Sequence, residues 1–448
     1  MLNKTVISPL DGLCRVGHTT RMTGLQLVLA GAAIGNGNRG IEALGRAIAD
    51  AVDRDAPGSI LTILDDGWGV RRDDSGRYLR STVEYAGVRR SRRWHRPESW
   101  AQIRAAQACF PRANPIARRF AEAHVILDIS AGDSFTDLYG PNRLKTISAP
   151  KAAALRANRP LVLLPQTYGP FRHAESRRLA ERLVRSAELA YARDSWSYDR
   201  LLELAGPDAD TSRLRSGVDV AFSLEPRKPD AEIADRVEAL GGEVTAGVNV
   251  SGLLQDQGAL KQYGMPGNYL TTMIALVREL INEGARVVLV PHVHVPGGSG
   301  ESDIAAIGRL RSELSQAEQS RTLVLPSVLD AAEVKWCISR MDWFVGSRMH
   351  STIAALSTLT PAVGYAYSDK THGVFQTCGV GDQVVDARKW TGTDAVRRIV
   401  DSFFARESTR RILEAEVPAT IDASRNQVRD IFALAGRNEP AQRLGARA

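Results

Sequence analysis

Arg348 and His350 stand two residues apart where an apolar run, WFVG, breaks at a Gly-Ser turn and a helical pattern, MHSTIAAL, begins. With Ser347 as N-cap, they become the first and third residues of that helix. The positive end of a helix dipole is a poor place for cations, costing roughly 0.3–1 kcal/mol each when nothing offsets them. An anionic ligand reverses the balance, because free backbone N–H groups already favour negative charge there. Arg supplies a planar fork for carboxylate or phosphate, and His a proton that moves near neutral pH. The pair therefore reads as an anion site with a general acid; the plain alternative is a surface Arg beside a core His.

Other candidates fall at strand ends. Lys370 follows the run PAVGYAY and should open onto the same edge as Arg348. Arg193, in YARDSWS, ends an earlier run, with a salt bridge to Asp194 as its plain alternative. His292 and His294, in PHVH, are placed to line a cleft; no third ligand has zinc-like spacing, so no metal is expected. DISAGDSFTDLYG offers Asp133 as a base and Asp133 or Asp137 as sugar contacts, although a capped turn accounts for both. GNGNRG (35–40) matches the dinucleotide fingerprint GxGxxG between a strand and a helix, with Asp65 and Asp66 closing the next strand. Against that reading, Asn36, Asn38 and Arg39 crowd the turn and no nicotinamide site follows. Asn36 and Asn38 are expected to line a substrate cleft, with a purely structural turn as the alternative.

Short Val-, Ile- and Leu-rich runs alternate with helical patterns from residue 25 onward, the signature of parallel sheets covered on both faces. A polar stretch at 225–243, with Pro226 and Pro229, divides the alternation in two. The expected architecture is α/β: two Rossmann-like, doubly wound domains, 23–226 and 227–392, facing a central cleft. Residues 1–22 read as an extension, and 393–448 as helices ending in a disordered tail.

Composition is that of an ordinary globular chain: 448 residues, 44% apolar and 24% charged. No apolar run approaches the ~20 residues of a membrane span, and no signal-peptide layout opens the chain, so a cytoplasmic location is expected. Four scattered cysteines without a CxxC pair suggest neither zinc nor disulfides. Charge is uneven. Residues 71–119 carry thirteen Arg and four acids, more net charge than the +7 of the whole chain. RRSRRWHR, at 89–96, is the densest part. A solvated hairpin explains it, as does contact with an anionic ligand or membrane surface; without zinc-finger or RRM signatures, nucleic acid is not an expected partner.

In order, GNGNRGIEAL, DISAGDSFTDLYG, LLPQTYGPF, YARDSWSYDRLLELAG, DVAFSL, VGSRMHSTIAALSTLTPAVGYAYSDK and CGVGDQVVD form a set that resembles the polysaccharide pyruvyl transferase family over roughly residues 24–386. The resemblance implies a GT-B-like pair of domains. It implies phosphoenolpyruvate as donor and a sugar diol, free or lipid-linked, as acceptor, giving a pyruvate ketal and phosphate without a cofactor. It carries the donor-contacting Arg-x-His pair onto Arg348 and His350, and a first-domain arginine onto Arg193; the charge of such a donor calls for at least two fixed cations, Arg348 and Arg193, with Lys370 assisting. The Arg-rich segment and His372 depart from the family pattern, which bears on the acceptor. A GT-B glycosyltransferase using a nucleotide sugar is the nearest alternative, and an NAD(P)-dependent oxidoreductase the next.

Overall fold

Buried on both faces, the apolar runs become the central strands of two sheets. A computed structural model describes residues 24–91, 93–295 and 301–437; the expected N-terminal extension, 1–22, and residues 438–448 of the expected tail lie outside them. The first sheet contains β1 (Gln26–Ala30), β2 (Ile60–Asp65), β3 (Val70–Arg72), β4 (Thr82–Gly87), β5 (Val125–Asp128), β6 (Leu161–Gln166), β7 (Leu189–Ala192) and β8 (Leu214–Ser216). Their order is β3-β4-β2-β1-β5-β6-β7-β8. All pairs are parallel except β3 with β4, a hairpin edge built from the Arg-rich segment. The second sheet contains β9 (Thr245–Asn249), β10 (Arg286–Leu289), β11 (Thr322–Val324), β12 (Trp343–Gly346), β13 (Ala362–Ala366) and β14 (Val384–Asp386). It is wholly parallel, in the order β11-β10-β9-β12-β13-β14. Every residue of β5, β6, β12 and β13 is buried, as doubly covered parallel strands require.

The two domains share a core. Leu44, Ile48 and Val52, on the inner face of the helix Arg39–Asp55, belong to one apolar cluster with Val220 and Phe222 of the connecting segment and Ala332, Trp336 and Ile353 of the second domain. A salt bridge and a hydrogen bond edge this contact: Arg46 reaches Asp330 at 3.3 Å, and Arg39 Nη2 donates to the Ser327 carbonyl at 2.6 Å.

DVAFSL forms a 3-10 turn over Val220–Ser223, because the Asp219 carboxylate accepts from Ala221 N and caps it. The C-terminal helix Arg406–Arg437 is no appendage. It returns to the first domain, where Gln427 brackets Val218 through Nε2→O (2.7 Å) and N→Oε1 (3.1 Å), and Ser424 Oγ donates to the Asp219 carbonyl at 3.2 Å.

Candidate active site

The helix Met349–Leu356 begins one residue later than expected. Arg348 is its N-cap, with extended φ −92° and ψ 120°, so His350 is the second helical residue. The Arg348 N–H donates to Asn249 Oδ1 at the end of β9 (2.9 Å). Ser347, expected to contact substrate, is buried, and its Oγ accepts from Tyr269 Oη at 2.8 Å. It braces the turn from below.

Arg348 is already partnered. Its Nε and Nη2 lie 3.3 and 3.0 Å from Asp303 Oδ1, Nη2 donates to the Glu301 carbonyl (2.9 Å), and Nη1 stands 3.5 Å from Glu301 Oε2. Burial disfavours the guanidinium charge, but Asp303 and Glu301 more than restore it. Asp303, fully buried, is a hub: it also accepts from Gly252 N (2.8 Å), His292 N (3.0 Å) and Val293 N (2.9 Å). The cost of an Arg at a helix N-terminus is thus met first by a carboxylate of the same domain.

His350 crosses to the first domain. Its Nε2 lies 3.5 Å from Asp219 Oδ2 and has no hydrogen-bond partner. Its Nδ1 faces Gly40, in the first turn of the helix Arg39–Asp55: a Cβ at Gly40 would stand only 2.7 Å from it. Arg193, one residue past β7, is 1% exposed. Its Nη1 is 3.2 Å from Asp219 Oδ2 and its Nε 3.7 Å from Asp194 Oδ2, yet Nε and Nη2 make no hydrogen bond. The two side chains meet at Gly132, where an added Cβ would stand 3.1 Å from Arg193 Nη1 and 3.4 Å from His350 Cε1. Burial pushes the Asp219 carboxyl up, but His350 and Arg193 outweigh it and hold it at about 2.

Asp133, expected as a base, is instead an ion-pair partner across the cleft: Lys370 Nζ lies 2.9 Å from its Oδ2. Burial raises its pKa and Lys370, Arg193 and His350 lower it, with a net value of about 2. A carboxylate held that low is a poor proton acceptor near pH 7. Tyr139 Oη donates to the same Oδ2 at 3.3 Å, and on the second domain the rings of Tyr263 and Tyr367 meet at 4.7 Å, tilted by 53°. Asp137 is a turn cap, accepting from the N–H groups of Arg172 and His173.

The glycine turn serves docking more than ligand contact. Asn38 caps the helix Arg39–Asp55 by accepting from Gly40 N and Ile41 N, and Asn36 Oδ1 accepts from Asn38 N. Asn38, expected to bind substrate, is therefore committed to the backbone. Gly37 carries φ +79°, and a Cβ there would lie 2.2 Å from the His294 carbonyl oxygen. Reciprocal backbone bonds, Arg39 N to His292 O (2.9 Å) and His294 N to Gly37 O (2.7 Å), stitch this turn to the second domain. His292, expected in the substrate wall, is buried, and burial together with the charges of His350, Arg39 and Arg348 keeps its imidazole neutral. It lies behind His350 and Arg348 instead of opening to solvent. Among the described residues, no three His, Cys, Asp or Glu side chains are grouped to hold a metal.

The family model for polysaccharide pyruvyl transferases matches residues 40–369, a span that contains Arg193, Asp219, Asp303, Arg348 and His350 and stops one residue short of Lys370. The chain belongs to the polysaccharide pyruvyl transferase family. This transferase is also similar to the amylovoran biosynthesis protein AmsJ of Erwinia amylovora, 23% identical over 261 residues, which cover 57% of this chain and 60% of AmsJ; the match thus spans under two thirds of that relative. Solved structures share its fold. A trehalose 6-phosphate synthase from Burkholderia multivorans superposes with a TM-score of 0.52 at 13% identity, covering 95% of this chain and all of that one. A structure described as a UDP-N-acetylglucosamine 2-epimerase from Listeria monocytogenes gives 0.56 at 13% identity, covering 92% and 96%. The two-domain arrangement is GT-B-like.

Sequence reasoning about this chain missed Asp219 and Asp303. The first stood inside DVAFSL and the second followed a Ser at a helix start, a capping signal that hid a hub. It also missed Lys151, fully buried in the helix Pro141–Arg156, with Nζ 2.6 Å from Asp128 Oδ1 and 2.7 Å from Ser130 Oγ.

Proposed function

We propose that the enzyme transfers pyruvyl from phosphoenolpyruvate to two hydroxyls of one sugar in a cell-surface polysaccharide or glycolipid precursor, forming a pyruvate ketal and releasing phosphate. The observation that carries this reading is the meeting, at Gly132, of the buried Arg193 guanidinium, whose Nε and Nη2 make no hydrogen bond, with the His350 ring, whose Nε2 makes none either. A buried guanidinium with free donors calls for an anion, and an imidazole beside it can move a proton onto that anion.

Arg193 and Lys370 bind the phosphate and carboxylate. Arg348 keeps Asp303 and exchanges its exposed partner, Glu301, for the donor. The His350 imidazolium gives its proton to C3 of the enol, forming a C–H bond and leaving C2 electron-poor. One sugar hydroxyl attacks C2, the C2–O bond to phosphate breaks, and the second hydroxyl closes the ring on C2. Two hydroxyl protons are released: one restores His350, the other leaves with phosphate. Asp133, ionised and paired to Lys370, acts as hydrogen-bond acceptor for the sugar and not as the base. No metal or nucleotide enters the route.

The test is phosphate release from phosphoenolpyruvate with lipid-linked and free oligosaccharide acceptors. Acceptor-dependent release that His350→Gln abolishes supports the assignment. Full turnover in that variant defeats it, and a thermal shift with UDP-sugars but none with phosphoenolpyruvate favours glycosyl transfer.

The acceptor is best supplied at a membrane surface, the inner face, through the loop around residues 89–96. Arg77 and Arg119 of the basic segment are spent on Asp50 and Glu84, whereas Arg90, Arg93, Arg96 and Trp94 are exposed and Arg89 and Arg96 flank Trp68. Basic side chains interleaved with indoles suit peripheral contact with anionic lipid; no helix among the described residues is long and apolar enough to cross a bilayer. Salt-sensitive co-sedimentation with phosphatidylglycerol vesicles, lost in Arg93→Ser/Trp94→Ser, is expected; binding indifferent to lipid charge refutes it.

A further inference from the structure

Lys151, on the helix Pro141–Arg156, is a fully buried cation that the route through His350 does not use. Its three N–H groups have three acceptors: Asp128 Oδ1 at 2.6 Å, Ser130 Oγ at 2.7 Å and the Ile147 carbonyl at 3.0 Å. Ser130 Oγ in turn donates to Asp128 Oδ1 at 2.8 Å and closes a triangle. Burial lowers the Lys151 pKa, and Asp128 opposes that shift. Stability alone is a weak reason for such a pair, because well-packed apolar side chains in its place often do as well or better. A buried ion pair can instead single out one backbone arrangement.

The arrangement here is the turn that follows β5. Ser130 and Ala131 have φ of 49° and 54°, left-handed values that residues other than glycine seldom adopt. Such backbone persists only where its surroundings over-determine it. Ala131 N donates to Gly31 O at 2.7 Å, just past β1, and Thr167 N donates to Gly132 O at 2.9 Å, just past β6. Gly31 approaches so closely that a Cβ there would lie 2.5 Å from Ser130 N. Lys151 and Asp128 add a side-chain hold on Ser130 to these backbone contacts.

The same turn meets the reacting groups. Gly132 is the point where Arg193 and His350 come together, and Asp133, the next residue, is the partner of Lys370. Two residues of backbone therefore separate the Ser130 hydroxyl that Lys151 grips from the surface against which His350 rests. With all three N–H groups committed elsewhere, Lys151 acts on the centre through this turn and touches no reactant.

We propose that Lys151 is a positioning residue: with Asp128 it holds the left-handed turn Ser130–Gly132 in the conformation that keeps His350 in reach of a donor bound at Arg193. The role rests on the pyruvyl-transfer reading, so one of its two readouts is independent of that reading. Two variants of the full chain are compared with the parent. Ser130→Ala removes one contact of Lys151 at a φ that Ala131 already tolerates, and Lys151→Met/Asp128→Leu exchanges the ion pair for apolar side chains without stranding a charge. In acceptor-dependent phosphate release, kcat should fall about 100-fold in the double variant and less in Ser130→Ala, with KM for phosphoenolpyruvate little changed. In carbon–proton NMR spectra recorded without phosphoenolpyruvate, the Cε1–H signal of His350, identified by its loss in His350→Gln, should move in both variants. An unmoved His350 signal overturns the proposal, as does a kcat that stays parental or falls only with the folded fraction seen in thermal unfolding. Where the double variant fails to fold, Ser130→Ala decides on the same two readouts. A displaced His350 signal, with no phosphate release from the unsubstituted protein, would leave the positioning role standing and defeat the donor reading.

Discussion

Asp219 is the residue on which the centre turns, since one buried oxygen faces both the Arg193 guanidinium and the His350 imidazole. Removing it leaves Arg193 with only a 3.7 Å approach to Asp194. Asp219→Ala should therefore destabilise the fold by about 3–5 kcal/mol, the cost of an uncompensated buried charge, read by urea denaturation at pH 7. The pH dependence has a definite sign. The folded pKa of Asp219 is about 2, below its ordinary 3.8, so its contribution is complete above about pH 4 and is lost as pH falls towards 2. The unsubstituted protein should lose more stability across that interval than Asp219→Asn; equal losses would show that the carboxylate is not held down by its neighbours. Gly40 is the complementary case. Gly40→Ala puts a methyl 2.7 Å from His350 Nδ1, and a displacement of the imidazole on the order of 1 Å should lower kcat by about 100-fold while phosphoenolpyruvate still binds. Turnover unchanged in Gly40→Ala would mean that His350 has no fixed position in the reaction.

Among the elements, the glycine turn shows how a legible motif can mislead. Its setting was readable: a strand before, a helix after, Asn38 at the cap. Its partner was not, because the backbone of residues 292–294 reaches it only once both domains have folded. The same limit applies at Ser347 and Arg348, where local capping rules favour Ser, but Asn249 from β9 takes the Arg348 N–H and moves the helix start by one residue. Gly37→Ala tests the docking role. The added Cβ would lie 2.2 Å from the His294 carbonyl, at φ +79°, so the variant should lose about 1–3 kcal/mol and become more susceptible to limited proteolysis at the domain junction. A variant as protease-resistant as the parent would make the turn an ordinary loop.

For the whole molecule, the connecting segment is the structure that joins site to domains. Lys335, 2% exposed in the second domain, donates to the carbonyls of Ala221, Phe222 and Leu224, just beyond Asp219. Burial lowers its pKa to about 7, a shift that Glu225 opposes in part. In the unfolded chain the same lysine stays protonated to about pH 10. Between pH 7 and 9 the unfolded state therefore binds more protons, and folding stability should rise with pH by up to about 1.4 kcal/mol per unit from this group. Lys335→Met should flatten that rise even though it lowers stability overall. A slope retained in the variant would assign the effect elsewhere.

The sequence by itself determined the alternation of strands and helices, the division into two doubly wound domains, and the residue types from which an anion site could be built. Those features are local: side-chain periodicity, turn chemistry and strand ends are written within a few residues of one another. Tertiary structure alone decided which charges neutralise which. Asp303 claims Arg348, Lys370 claims Asp133, and Asp219 stands between Arg193 and His350. Each of these pairs joins segments distant in the chain, and electrostatic roles depend on separation in space and on burial, neither of which spacing along a sequence can supply.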